Sequence, residues 1–214
     1  MLGPILSRLN AKSIVLGSSS PRRREILSMA GLSFRVVPSR FEENLLKSDY
    51  VGRPWDYAKA TARGKTEEVF QRLAAENSPP NLIIGADSIV ILDGEILEKP
   101  RSEKDATSML HRLSGRTHSV ISGVALGVPS KDNTGLTLST FHEETTVDFA
   151  SITGDMIDYY VSTKEPMDKA GSYGIQGVAG SFVTAIQGDF YNVMGLPLHR
   201  TCKEILKLWD RGLL

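Results

Sequence analysis

The sequence predicts a mixed α/β protein. Three observations predict this class: short β-branched apolar runs alternate with helical segments in the first half, two long strand-type runs follow each other at residues 119–128 and 136–149, and the chain closes on an amphipathic helical segment at residues 196–208. The 214 residues suffice for one large domain or two small domains that share a core.

The first half pairs each strand with a following helix. Ser20 stands at an N-cap position before Pro21, and Pro54 opens a second, long helical segment. The predicted elements are, in order, a strand (13–17), a helix (21–30), a strand (34–38), an acidic loop around Glu42 and Glu43, and a helix (54–75) that residues 77–80 end.

The remaining elements follow from turn residues and apolar periodicity. Asp93-Gly94 is a typical hairpin turn, and Ser102 is a typical helix N-cap. The predicted elements are apolar runs at 82–86 and 89–92 interrupted by Asp87 and Ser88, a strand (95–97), a helix (102–113), two long antiparallel strands (119–128 and 136–149) joined by a polar loop (129–135), a helix near 155–162, a Gly-rich loop (171–180), a strand (181–187) and the closing helix (196–208).

Composition excludes several classes of protein. Hydrophobic residues make up 41% and charged residues 23% of the chain, which is typical of a globular fold. With 25 basic and 25 acidic residues the net charge is zero, so we expect no nucleic-acid partner and no membrane partner, and any anion site must be local. The single Cys202 excludes an internal disulfide, and neither a membrane-length apolar run nor a signal-peptide pattern is present, so we predict a cytoplasmic protein.

Three arginines, Arg22, Arg23 and Arg24, occupy the first turn of the helix that Pro21 begins. The amino end of a helix carries a partial positive charge, so an exposed cation there costs up to about 1 kcal/mol. In one interpretation an anion such as a phosphate binds in this turn, held by Ser18, backbone N–H groups and guanidinium groups. In the other, the turn is a basic surface whose long side chains lie in water.

Asp87 lies between two apolar runs, where a carboxylate is costly unless a cation or metal pairs with it. Asp87 is therefore a candidate functional carboxylate; the alternative is a turn-forming Asp between two strands. If Asp87 meets Glu43 in space, their oxygen ligands suit Mg²⁺ or Mn²⁺, whereas Glu42 and Glu43 alone are typical of a solvated loop. Lys65 and Lys99 are the matching cations, with solvated surface lysines as the alternative.

The loop GSYGIQGVAG at residues 171–180 contains four glycines, which allow close approach to a ligand or simply tight turns. Within it, Gln176 has both an amide donor and an acceptor, which is what reading the edge of a nucleobase requires.

Six segments in this order resemble the Maf family of nucleoside triphosphate pyrophosphatases: SSSPRRREIL, FEE, GADSIV, LEKPRSEKDATSMLHRLSGRTHSV, EPMDKAGSYGIQG and NVMGLPL. The resemblance spans nearly the whole chain, and the Maf domain of acetylserotonin O-methyltransferase-like proteins is especially similar. It implies one domain over residues 1–214 with an elongated, two-lobed fold, similar to inosine triphosphate pyrophosphatase, around a deep central cleft. It also implies a homodimer.

The resemblance also implies roles for single residues. Gln176 with Arg22 is similar to the arrangement in members that prefer dTTP and UTP. The implied roles are substrate binding for Ser18, Arg22, Arg23, Ser88 and Gln176, metal binding for Glu43 and Asp87, and catalysis for Asp87 with electrostatic support from Lys65 and Lys99.

The implied reaction is attack of water on the α-phosphorus of dTTP, UTP or modified pyrimidine analogues, with release of the monophosphate and pyrophosphate and with Mg²⁺ or Mn²⁺ as cofactor. The alternative is a regulatory module linked to cell division that binds nucleotide without hydrolysing it. The presence of both Glu43 and Asp87 favours the enzyme, because binding alone requires only the cations.

Overall fold

A computed structural model describes residues 1–130 and 135–214. In these residues the strands form one seven-stranded mixed sheet in the order β2-β1-β3-β5-β6-β7, with β4 paired to β3 off this path. The strands are β1 (Ile14–Leu16), β2 (Arg35–Val36), β3 (Leu82–Leu92), β4 (Glu95–Leu97), β5 (Thr117–Pro129), β6 (Leu136–Phe149) and β7 (Val183–Gln187). The helices are α1 (Leu6–Asn10), α2 (Pro21–Met29), α3 (Pro54–Ala75), α4 (Glu103–Leu113), α5 (Gly154–Ser162), α6 (Phe190–Met194) and α7 (Leu198–Asp210).

Strand β3 organises the sheet. Its antiparallel partner β5 lies along one edge over residues 83–91. The other edge is shared: β1 pairs in parallel with residues 82–84, and β4 pairs in antiparallel fashion with residues 90–92. Among the described strands none pairs with residues 85–89 on this second edge, so the sheet is open there.

Two separate cores pack on the same face of β3, because side chains alternate along a strand. Leu82, Ile84 and Ala86 belong to the first core, with apolar residues of β1, α1, α2 and α7. Val90 and Leu92 belong to the second core, with residues of α4, α5 and the last part of β6. The two cores give the two-lobed α/β architecture that the resemblance implies, and the middle of β3 lies between them.

Helix α3 covers the opposite face of the sheet at unusually short distance. Two glycines make this approach possible, since a Cβ at Gly85 would lie 2.7 Å from the carbonyl oxygen of Ala62, and a Cβ at Gly123 would lie 2.5 Å from the backbone nitrogen of Lys59. A larger residue at either position would push the helix off the strands. The close packing brings side chains of α3 to the middle of β3.

Most predicted elements are confirmed, with ends shifted by a few residues. Ser20 and Ser102 accept hydrogen bonds from the third helical N–H groups as N-caps, and Asp93-Gly94 forms the hairpin turn with positive φ at both residues. The polar loop predicted at 129–135 falls mainly on residues 131–134, outside the described residues.

Two predictions of local structure are wrong. The runs 82–86 and 89–92 are one continuous strand, so Asp87 is not a turn residue between two strands. The sequence reading also missed the short helices α1 and α6. Helix α6 is five residues long and is fixed by tertiary contacts: Asn192 is fully buried and donates to the Val120 carbonyl at 2.9 Å.

No helix in the described part of the chain is long and apolar enough to cross a membrane.

Candidate active site

A cleft opens at the unpaired middle of β3, between the two cores. The first turn of α2 lines it from one lobe, and the Gly-rich segment that follows α5 lines it from the other. Among the described residues its charged lining consists of five cations, Arg22, Arg23, Lys65, Lys99 and Lys169, and three carboxylates, Glu43, Asp87 and Asp168. The cleft thus has an excess of positive charge although the chain is neutral overall.

Lys65 joins the two carboxylates that the sequence singled out. Its ammonium lies 2.8 Å from Asp87 Oδ1 and 2.9 Å from Glu43 Oε1. The side chains of Lys65 and Asp87 are each only 11% exposed, so the ion pair is largely shielded from water. Glu43 and Asp87, for which the sequence left a meeting in space open, therefore contact the same ammonium.

The position of Asp87 explains how a strand interior tolerates a carboxylate. Asp87 pairs with Gly123 of β5 in the middle of the sheet, and it faces the α3 side, opposite Ser88. Because α3 lies close to the strand there, Lys65 reaches the carboxylate and supplies the cation that its burial requires. The charge pair therefore depends on the close packing of the helix.

The loop that carries Glu43 is anchored on α3. Glu68 accepts hydrogen bonds from the Ser39 hydroxyl at 2.9 Å and from the Arg40 backbone N–H at 2.8 Å. The ring of Phe41 lies over Gly64, where a Cβ would be 2.5 Å from the ring. Both contacts are within one turn of Lys65, so the loop presents Glu43 to the same lysine.

Arg23 turns inward and is a framework residue of the cleft. Its guanidinium donates to the carbonyl oxygens of Gly195 and Ala86, both at 2.9 Å, and to the hydroxyls of Ser18 and Ser88, both at 3.1 Å. Burial lowers the pKa of Arg23, while the negative charge of Asp87 opposes that shift. Arg23 thereby ties α2 to the open edge of β3 and to the segment after α6.

Ser18 and Ser88 line the cleft as predicted, and both hydroxyls already have protein partners. Ser18 is 8% exposed and accepts from Arg23 and from the Ser20 backbone N–H. The Ser88 hydroxyl lies 2.8 Å from that of Ser122 and 3.2 Å from the Gly195 carbonyl. These two serines fix the shape of the cleft around Arg23.

The other two arginines of the first turn behave differently from each other. Arg22 points into the cleft, where its guanidinium pairs with Asp168 at 3.3 Å. Arg24 is exposed, so the interpretation as a solvated basic surface holds for that residue alone. Of the three cations, Arg22 is the one placed to meet an anion.

Gln176 and Lys99 are two further residues of the cleft lining. Gln176 is exposed at the cleft, and its amide nitrogen lies 3.3 Å from Glu25 Oε2 of α2. Lys99 is also exposed in the lining, where Pro100 follows it directly. Every predicted site residue is therefore in or at this one cleft.

Sequence reasoning missed three contributors to the site. Asp168 and Lys169 form an ion pair at 2.7 Å, and both line the cleft. The Gly195 carbonyl accepts from both Arg23 and Ser88. A basic residue directly before the Gly-rich loop was a usable signal for Lys169, whereas no sequence signal marks a backbone carbonyl.

The residues present fit a magnesium-type ion. Among the described residues no group of three or more His, Cys, Asp or Glu side chains could enclose a metal. Glu43 and Asp87 nevertheless share one cation, and Mg²⁺ is commonly held by one or two carboxylates with water and substrate phosphates as the other ligands. Such a site would be completed by a phosphate-bearing ligand.

The chain matches the model of a known protein family. The family model of the Maf-like protein matches residues 13–208. The chain belongs to the Maf family. The two-lobed mixed sheet described above is consistent with the Maf-like fold.

Three relatives show how the match is distributed. A probable bifunctional dTTP/UTP pyrophosphatase/methyltransferase protein from Homo sapiens is 49% identical over 212 residues, 98% of this chain and 34% of that protein. The chain thus spans about a third of that relative's length. The dTTP/UTP pyrophosphatase of Bacillus cereus (strain ATCC 10987 / NRS 248) is 44% identical over 92% of this chain and 90% of its own length. That of Clostridium perfringens (strain SM101 / Type A) is 45% identical over 90% and 95%.

Arg23→Lys tests the framework role of this arginine in the Maf cleft. An ammonium cannot reach all four acceptors, so acceptors that Arg23 now satisfies would lose their partners at roughly 1–3 kcal/mol each. We expect the free energy of unfolding in urea to fall by about 2–4 kcal/mol. The neighbouring Arg24→Lys is the matched control and should change it by less than about 0.5 kcal/mol. Equal effects of the two variants would contradict the framework role.

Proposed function

We propose that this chain hydrolyses nucleoside triphosphates to the nucleoside monophosphate and pyrophosphate, with dTTP, UTP and modified pyrimidine analogues as its preferred substrates. The observation that carries the proposal is the shielded Lys65–Asp87 pair, which the more exposed Glu43 joins through Lys65, in a cleft lined by cations. The Bacillus and Clostridium relatives, which match over nine tenths of their length, are dTTP/UTP pyrophosphatases, and this supports the same reaction.

The cationic lining suits a triphosphate. Such a substrate carries about four negative charges, or about two with one divalent metal bound. The excess of cations over carboxylates in the lining balances the second value. Arg22 and the amino end of α2 bind phosphate oxygens from one lobe, and Lys99 does so from the other.

Asp87 is the residue that acts on water. Its carboxylate lies at the cleft floor and is 8% exposed, with Oδ1 held by Lys65. The carboxylate orients the attacking water toward the α-phosphorus and accepts its proton. The positive charge of Lys65 offsets the electrostatic repulsion between the Asp87 and Glu43 carboxylates and so holds them close together. Two flexible carboxylates on the surface without such a cation would move apart.

Glu43 and Asp87 hold a Mg²⁺ or Mn²⁺ ion in this proposal. The ion, when bound, stabilises negative charge that develops on the phosphates. A homodimer and a cytoplasmic location stay predictions from the resemblance and from the composition.

Gln176 recognises the pyrimidine. The amide can donate to O4 and accept from N3–H of uracil or thymine. Gly174 and Gly177 flank it, and the side chains of Lys169 and Glu165 lie where their Cβ atoms would be, so these two glycines set the path of the loop that presents Gln176.

Asp87→Asn tests the catalytic assignment. Asparagine keeps the shape of the side chain but cannot accept the proton, so we expect kcat with dTTP and Mg²⁺ to fall at least about a hundredfold while KM changes by less than about threefold. Asp93→Asn, at an exposed turn outside the cleft, is the control for the lost charge and should leave turnover unchanged. A near-normal kcat in Asp87→Asn would move the base to Glu43, and no pyrophosphate release by the wild type would favour the non-hydrolysing module.

Gln176→Ala tests the choice of base. Loss of a paired hydrogen bond to the base costs roughly 1–3 kcal/mol, so the preference in kcat/KM for dTTP and UTP over GTP should drop about ten- to a hundredfold. Gln187→Ala, on the exposed strand β7, should leave that preference unchanged. A loss of the same size on every nucleotide would mean that Gln176 shapes the loop without reading the base.

A further inference from the structure

The Asp168 carboxylate forms ion pairs with two of the cations that line the cleft. Its Oδ2 lies 3.3 Å from Arg22 Nη1, and its Oδ1 lies 2.7 Å from Lys169 Nζ. The acid is 60% exposed, whereas Arg22 is 22% and Lys169 is 13% exposed. The anion therefore lies on the solvent side of both cations, where a phosphate entering the cleft would also meet them.

Asp168 belongs to the lobe opposite Arg22. It ends the short 3-10 turn Glu165–Asp168 after α5, while Arg22 is in the first turn of α2. The contact between them crosses the cleft. A pair with one partner this exposed contributes little to stability, so a multiply charged anion can displace the carboxylate at small cost.

Lys169 keeps its place without Asp168. Its Nζ also donates to the Glu165 carbonyl at 2.5 Å, and its side chain lies against Gly174, where a Cβ would be 2.7 Å from Lys169 Cδ. Arg22 extends from α2, which Arg23 ties to the sheet, and among the described residues Asp168 is the partner of its guanidinium. Of the two cations, Lys169 is therefore the one whose position does not depend on the carboxylate.

We propose that Asp168 is an internal competitor of phosphate groups: its carboxylate holds Arg22 and Lys169 in the free protein, yields them to a polyphosphate, and takes them back as pyrophosphate leaves. The naming of pyrophosphate as the departing group rests on the proposed function. The competition between Asp168 and a phosphate for the two cations does not depend on that function.

The ionisation of Asp168 is consistent with this role. Burial acts to raise the pKa of its carboxyl group, but the hydrogen bond from Lys169 and the charge of Arg22 lower it below its usual value. The carboxylate is therefore charged at neutral pH and competes with every anion that enters the cleft.

If Asp168 competes with phosphate groups, removal of its charge should strengthen the binding of pyrophosphate. Asp168→Asn removes one of the three carboxylates from the described lining and leaves the side-chain shape intact. We expect inorganic pyrophosphate, titrated calorimetrically into the full chain with Mg²⁺ at low ionic strength, to bind the variant about tenfold more tightly than the wild type. Pyrophosphate should also become a correspondingly stronger product inhibitor.

Asp93→Asn is the matched control, because it removes the same charge from an ion pair with Arg116 outside the cleft. We expect wild-type affinity for pyrophosphate in that variant. Unchanged or weaker binding in Asp168→Asn would overturn the proposal, and so would the absence of measurable pyrophosphate binding in both proteins. Calorimetry needs no turnover, so tighter binding in a chain that hydrolyses nothing would leave this inference standing and reject the proposed function.

Discussion

Strands β1 and β4 share one edge of β3, and neither reaches its middle. Parallel pairing with β1 ends at residue 84, and antiparallel pairing with β4 begins at residue 90. The main chain between them has a strand partner on the β5 side only. The cleft, the split of the core into two and the inward path of Arg23 to the Ala86 carbonyl all occupy this interruption. A site at this point can contact both lobes and still rest on a single rigid strand.

Charge in the cleft is organised in layers of different exposure. At the floor, Lys65 and Asp87 form a shielded pair that α3 imposes through close packing on glycines. Around this pair, the guanidinium of Arg23 donates hydrogen bonds to four protein acceptors. At the rim, the partner of Arg22 among the described residues is an exposed acid, Asp168. The buried charges thus stabilise the structure of the site, and the exposed charges at the rim remain available to bind a ligand.

The sequence pattern predicted the order and nature of most elements because caps, turn dipeptides and apolar periodicity are local signals. It failed at Asp87, which reads as an interruption between two apolar runs. The strand continues through Asp87 because Lys65, 22 residues earlier, neutralises the carboxylate from the adjacent helix. Helix α6 could not be predicted from the sequence for the same reason. A hydrogen bond from the buried Asn192 to β5 stabilises this helix, and no local sequence pattern marks it.

The same limit applies to the site. Single residues with the right chemistry could be named from motifs, and the family resemblance assembled them. That Arg23 donates to Ser88, and that Asp168 covers Arg22, depends on contacts between segments more than sixty residues apart. Such contacts exist only once both lobes have formed on β3.

Hydrolysis of dTTP in water enriched in ¹⁸O tests the central claim, that the cleft directs water to the α-phosphorus of a nucleoside triphosphate. The label in each product is read by mass spectrometry after a single turnover. We expect one ¹⁸O atom in the nucleoside monophosphate and none in pyrophosphate. Label in pyrophosphate, or release of a diphosphate with labelled orthophosphate, would contradict that claim.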